Sequence, residues 1–177
     1  MGYSKLEKNL IDLMKEEQAK LGYRKEAVRL YYPLSSLNHL FDAEDSVDAM
    51  QERLIHFPED MTAKLGMLTV THKGDRFCFR IPEEGSEYVH EHMGANEFIK
   101  ELVEMLWQHG TTMEQIRALF DRHADGVICE NIDNGEFDYL LRFPESVGDP
   151  YYYCFKNEGC HIIYHRFLPE DYADFDF

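Results

Sequence analysis

Thiols and imidazoles crowd one short stretch of this chain, where Cys154, Cys160-His161 and His165 carry the donors of a zinc site or of a nucleophile–base pair. The stretch reads as a strand, and strand geometry breaks that chemistry up. His161 and His165 fall on one face roughly 13 Å apart, while Cys160 points to the other, too dispersed for one ion. Histidines on a sheet surface beside aromatics are the better reading. Asp121, Asp125, Gly126 and Ile128 match the first, fifth, sixth and eighth positions of a calcium loop. His123 replaces an oxygen ligand, however, and Ile132 stands where the bidentate Glu belongs, so a helix end with Gly126 as its stop fits better. His90-Glu91-His92 offers a metal or acid–base pair but sits in a polar stretch, where a solvated loop is expected. Arg80 and Arg142 are cations at strand ends amid many acids. They suit a bidentate clamp on an anionic ligand, or ion pairs with neighbours such as Glu83 and Glu145.

No G-x-S-x-G elbow, phosphate-binding glycine loop, H-E-x-x-H helix or dinucleotide glycine pattern occurs. No catalytic, cofactor-binding or metal residue is therefore assigned, and no cofactor is expected. The candidate binding-surface residues are Arg80, Arg142, Tyr152, His161, Tyr164 and His165.

The elements that must position these residues follow from periodicity. Leu6, Leu10, Leu13, Met14 and Leu21 recur at helical spacing between Ser4 and a Gly22 stop. Ala27 to Tyr32 alternates as a strand up to Pro33, and Ser35 opens a short helix through Phe41. A capped helix runs from Ser46 to His56, with Pro58 ending it. Leu68 to Thr71 and Phe77 to Ile81 form a hairpin turning at Lys73-Gly74, which sets Val70 opposite Phe77 and Leu68 opposite Phe79. Glu83 to Met93 reads as a polar loop. Asn96 to His109 is an amphipathic helix, and a second starts at Thr111 or Thr112 with a capping box to Glu114 or Gln115. Two more hairpins follow. Val127 to Ile132 and Phe137 to Phe143 flank Asp133-Asn134-Gly135, while Tyr151 to Lys156 and Cys160 to Phe167 flank Asn157-Glu158-Gly159. Helices cluster and hairpins cluster, which gives an α+β fold: an antiparallel sheet of hairpins packed against about four helices, a single domain over residues 1–168. Residues 169–177 form an acidic aromatic tail, frayed or docked on a partner.

Composition narrows the partners. The 177 residues carry a net charge of −16, which repels phosphate backbones and anionic lipid surfaces, so neither nucleic acid nor membrane is expected. A protein partner, a basic one, suits the charge better. The opening residues lack the apolar core of a signal peptide, no run of eighteen apolar residues exists, and four cysteines without an export signal read as reduced thiols. A cytoplasmic location is expected.

Gly22-Tyr23-Arg24-Lys25-Glu26 and Arg29-Leu30-Tyr31-Tyr32-Pro33-Leu34-Ser35-Ser36-Leu37-Asn38 resemble a family catalogued as a domain of unknown function from anaerobic Gram-positive gut bacteria. The resemblance runs the whole length. It implies a bacterial cytoplasmic protein and carries no activity, ligand or catalytic residue.

The last fifty-one residues hold twelve Tyr and Phe and eleven acids against three basic residues. An aromatic sheet with an acidic rim is the surface of a non-enzymatic interaction or accessory module. The alternative is a small-molecule binding protein or enzyme with a pocket between sheet and helices, lined by Tyr152, Tyr164, His161 and His165.

Overall fold

Leu6, Leu10 and Met14 line the buried side of α1 (Ser4–Leu21), the first element of a computed structural model that describes residues 2–175. The chain divides into two compact units, with the boundary between Glu97 and Phe98.

In the first unit, α1 is followed by β1 (Val28–Pro33), α2 (Leu34–Phe41), α3 (Val47–Arg53), α4 (Phe57–Leu65), β2 (Thr69–Lys73), β3 (Arg76–Ile81) and α5 (Glu83–His92). The strands form one antiparallel sheet in the order β1-β3-β2. Its inner face buries Leu30, Tyr32, Phe77, Phe79 and Ile81. Phe57 of α4 meets Phe79 edge-on with ring centroids 5.9 Å apart. From the same face the Tyr32 hydroxyl donates to Asn9 Oδ1 of α1 at 2.6 Å, satisfying two buried polar groups at once.

In the second unit, α6 (Glu97–Leu106) and α7 (Met113–His123) precede β4 (Ile128–Asn131), β5 (Tyr139–Arg142), a 3₁₀ turn at Glu145–Val147, β6 (Tyr152–Asn157), β7 (Ile162–Phe167) and α8 (Pro169–Asp174). The sheet is antiparallel in chain order, β4-β5-β6-β7. Thr112 and Gln115 form a reciprocal capping box at the start of α7. In the β4–β5 connection Asn134 Oδ1 accepts from the Glu136 and Phe137 amides at 3.1 and 2.7 Å.

The α+β class with antiparallel sheets holds. Its strands divide between two sheets, and eight helices lie among the described residues where about four were expected. Two of the added helices have local causes. Glu83–His92, expected as loop, is helical; its inward residues are Gly85, Ser86 and Val89, too small to register in the sequence as an apolar stripe. Pro58, expected to end a helix, instead lies in the first turn of α4, where its missing N–H costs nothing. The first hairpin turns at Gly74-Asp75, one residue later than expected. Val70 therefore faces Phe79, and Lys73 faces Arg76. In the tail, Pro169–Asp174 forms α8; Asp176 and Phe177 lie outside the described residues.

Candidate functional site

Strand alternation sends every second side chain of the first sheet outward, and there the two-residue period sorts charge as well as hydrophobicity. From β1 the outward residues are Arg29, Tyr31 and Pro33; from β3, Arg76, Cys78 and Arg80; from β2, Thr69, Thr71 and Lys73. Pairing registers them into three rows. Arg29, Arg80 and Thr69 form the first, Tyr31, Cys78 and Thr71 the second, and Pro33, Arg76 and Lys73 the third. Every one of these residues is exposed except the half-buried Cys78.

Four cations thus share one sheet face with no acid among its nine residues, in a chain whose net charge is −16. Among the described residues, none of Arg29, Lys73, Arg76 and Arg80 has a carboxylate oxygen within 4.0 Å. Arg76 lies over the Tyr31 ring at 4.7 Å, and Tyr31 is 52% exposed. The cations form two pairs, Arg29 with Arg80 and Arg76 with Lys73. The pairs stand about 13 Å apart along β3, by the strand rise.

The second sheet offers no comparable opening. On one face Tyr153, Phe155 and Phe143 pack against Phe98 of α6 and Phe120 of α7, with Phe98–Phe143 and Phe120–Phe143 centroids both 4.9 Å apart. On the other, Leu140, Cys154, Phe137 and Phe167 form a cluster joined by Ile132, Tyr152 and Tyr172 of α8. Burial pushes the Cys154 thiol up to about 12. Burial likewise raises the Tyr153 phenol, which donates to Asp149 Oδ2 at 2.7 Å. Neither group is placed to ionise.

The candidate residues read from the sequence disperse. Arg80 joins the basic face. Arg142 sits 3.8 Å from Glu130 and over the Tyr152 ring at 5.5 Å, not against Glu145. Tyr152 and His165 share the face covered by α8, where His165 lies 4.3 Å from the Phe167 ring. Tyr164 is on the opposite face, stacked on Phe155 at 6.1 Å. His161 precedes the strand altogether, since β7 starts at Ile162. Strand alternation therefore does not separate it from Cys160, and Cys160 Sγ lies 3.0 Å from His161 Nδ1.

The family described as "Domain of unknown function, E. rectale Gene description (DUF3877)" matches residues 3–175. The chain belongs to that family. No curated protein and no solved structure matches it.

Family membership brings no assigned residue, so the basic face stands on its own geometry. Of its nine positions the sequence had singled out Arg80 alone. A signal for the others was present: in Arg29-Leu30-Tyr31-Tyr32 and in Arg76 to Ile81, arginines and apolar residues alternate with the strand period. No helix among the described residues is long and apolar enough to cross a membrane.

Proposed function

We propose that this family member is a non-enzymatic interaction module whose open amino-terminal sheet face docks an extended acidic segment of a partner protein. One observation carries the reading: two cation pairs, without a carboxylate oxygen within 4.0 Å among the described residues, share an exposed sheet face in an otherwise strongly acidic chain. Like charges placed directly opposite on neighbouring strands destabilise a sheet, and an anionic partner relieves that repulsion. Guanidinium forks pair bidentately with carboxylates, and an extended peptide presents residues i and i+4 about 13 Å apart, the separation of the two pairs.

This moves the interaction surface from the carboxy-terminal sheet, where Tyr151 and Tyr153 are buried, to the amino-terminal one. It also turns the expected partner from basic to acidic. Single-stranded nucleic acid is the weaker occupant. Stacking needs free aromatic platforms, and Tyr31, the face's one aromatic, already carries Arg76. The net charge of −16 opposes a polyphosphate further. It opposes an acidic peptide too, but charges more than ~8 Å away are largely screened at physiological salt, which leaves the local cations dominant.

The test is fluorescence anisotropy with a labelled glutamate-rich peptide and, in parallel, a single-stranded oligonucleotide. Binding of the peptide that weakens with added salt, and falls at least about tenfold in R29E/R80E, supports the reading. Peptide binding unchanged in R29E/R80E overturns it, as does preference for the oligonucleotide. Charge-dependent self-association in sedimentation, with no peptide binding, would instead make a second copy the occupant.

A further inference from the structure

A second chemistry lies in the β6–β7 connection, independent of the basic face. Cys160 is exposed, and its Sγ lies 3.0 Å from His161 Nδ1. The other ring nitrogen, Nε2, faces Glu158 Oε2 at 3.3 Å. Thiol, imidazole and carboxylate are thus strung in one relay, with the side chains of His161 and Glu158 each 49% exposed. The turn that carries them is braced. The Glu158 amide donates to the His161 carbonyl at 3.0 Å, the Gly159 amide donates to Asn157 Oδ1 at 2.9 Å, and Gly159 takes the left-handed conformation at φ 90°. The Asn157 amide is held in turn by Asp138 Oδ2 at 2.8 Å.

A carboxylate on Nε2 favours the tautomer with its proton there, which leaves the Nδ1 lone pair facing the thiol. That arrangement activates a nucleophile. The other cysteines lack it: Cys154 is buried with its ionisation suppressed, and Cys78 and Cys129 are half-buried.

We propose that Cys160 is a thiol-modification site that exchanges with low-molecular-weight disulfides, with His161 as its base and Glu158 as the residue positioning that base. The Sγ proton passes to His161 Nδ1 as Sγ attacks one sulfur of the disulfide. The Sγ–S bond forms, the disulfide S–S bond breaks, and the departing thiolate takes the proton from the imidazolium. One thiol and one disulfide become one mixed disulfide and one free thiol, so no further oxidant is needed.

The experiment follows reaction of the folded protein with dithiodipyridine, a neutral aromatic disulfide, by absorbance, and maps the modified residue by mass spectrometry. At neutral pH we expect a fast phase on Cys160, at least about tenfold faster than any other thiol and absent in C160S. We expect H161Q to slow it about tenfold and E158Q by a smaller factor. Free imidazole added to the buffer should restore part of the H161Q rate by supplying the missing base; a merely structural loss would persist. A fast phase surviving in C160S, or an H161Q rate equal to that of the parent protein at neutral pH, overturns the proposal.

Discussion

Arg29 and Arg80 stand directly opposite each other on adjacent antiparallel strands, outward-facing and, among the described residues, without a carboxylate partner. Opposed side chains in such a ladder have Cβ atoms about 5 Å apart, and like charges there cost stability. A chain with 34 acids and 18 Lys and Arg has ample means of neutralising the pair. The fold leaves the repulsion of this pair in place, and an anionic partner of the kind proposed above would relieve it.

Replacing Arg80 with Thr, a good strand former, should therefore stabilise the protein, by about 0.5 kcal/mol. Urea denaturation checks this, and salt supplies the control. Added sodium chloride should stabilise the parent protein more than R80T, because screening relieves a repulsion that the variant has already lost. Equal stability at low salt would mean that the two guanidinium groups do not repel across the ladder.

The hairpins could be read from the sequence because local signals set them. Asp133-Asn134-Gly135 and Asn157-Glu158-Gly159 each sit between apolar runs, and β4 to β7 pair in chain order around them. What could not be read depends on longer range. The Arg29–Arg80 row exists because β3 inserts between β1 and β2, and nothing local to Val28–Pro33 specifies a partner fifty residues away. The Cys160–His161 contact was hidden by a boundary. Two residues assigned to a strand must diverge, whereas the same two in the preceding turn can meet.

Gly85 shows the same limit in the interior. A Cβ built there would lie 2.3 Å from the Leu65 carbonyl oxygen and 2.6 Å from Ile81 Cγ2, so α5 packs against the end of α4 only with glycine at the contact. Alanine in a helix interior ordinarily stabilises by about 0.5–1 kcal/mol over glycine. Here the sign should reverse, with G85A losing about 1–3 kcal/mol in chemical denaturation. A stabilised G85A would mean that the two helices separate without cost.

Phe120 is fully buried and lies 4.7 Å from Phe98, 4.9 Å from Phe143 and 5.2 Å from Tyr153, ring centre to ring centre. Phe120→Ala should cost about 3–5 kcal/mol through lost burial and the cavity left behind. Trp107, 69% exposed, is the matched comparison. Its replacement by Ala should change stability by less than about 0.5 kcal/mol, although the side chain removed is larger. Comparable losses at the two sites would show that Trp107 is packed in solution.

Asp138, the residue before β5, is tied to the end of β6, where the β6–β7 turn begins. The Asn157 amide at 2.8 Å and the Lys156 ammonium at 3.0 Å hold its carboxyl below the usual carboxylate range. A group whose folded-state value is depressed contributes stability that is fully present above the unfolded value, about pH 4. That contribution is lost as pH falls through the lower folded value. With the side chain about a quarter exposed, solvent screens part of the effect. Asp138→Asn should therefore cost about 1 kcal/mol at neutral pH and flatten the acid limb of the stability profile. Urea midpoints measured at neutral pH and near pH 2 check both parts, because the parent and variant curves should converge as the carboxyl protonates. Curves that stay parallel down to the lowest pH would mean that Asp138 acts through packing alone, and the brace beneath the Cys160 turn would then owe nothing to its charge.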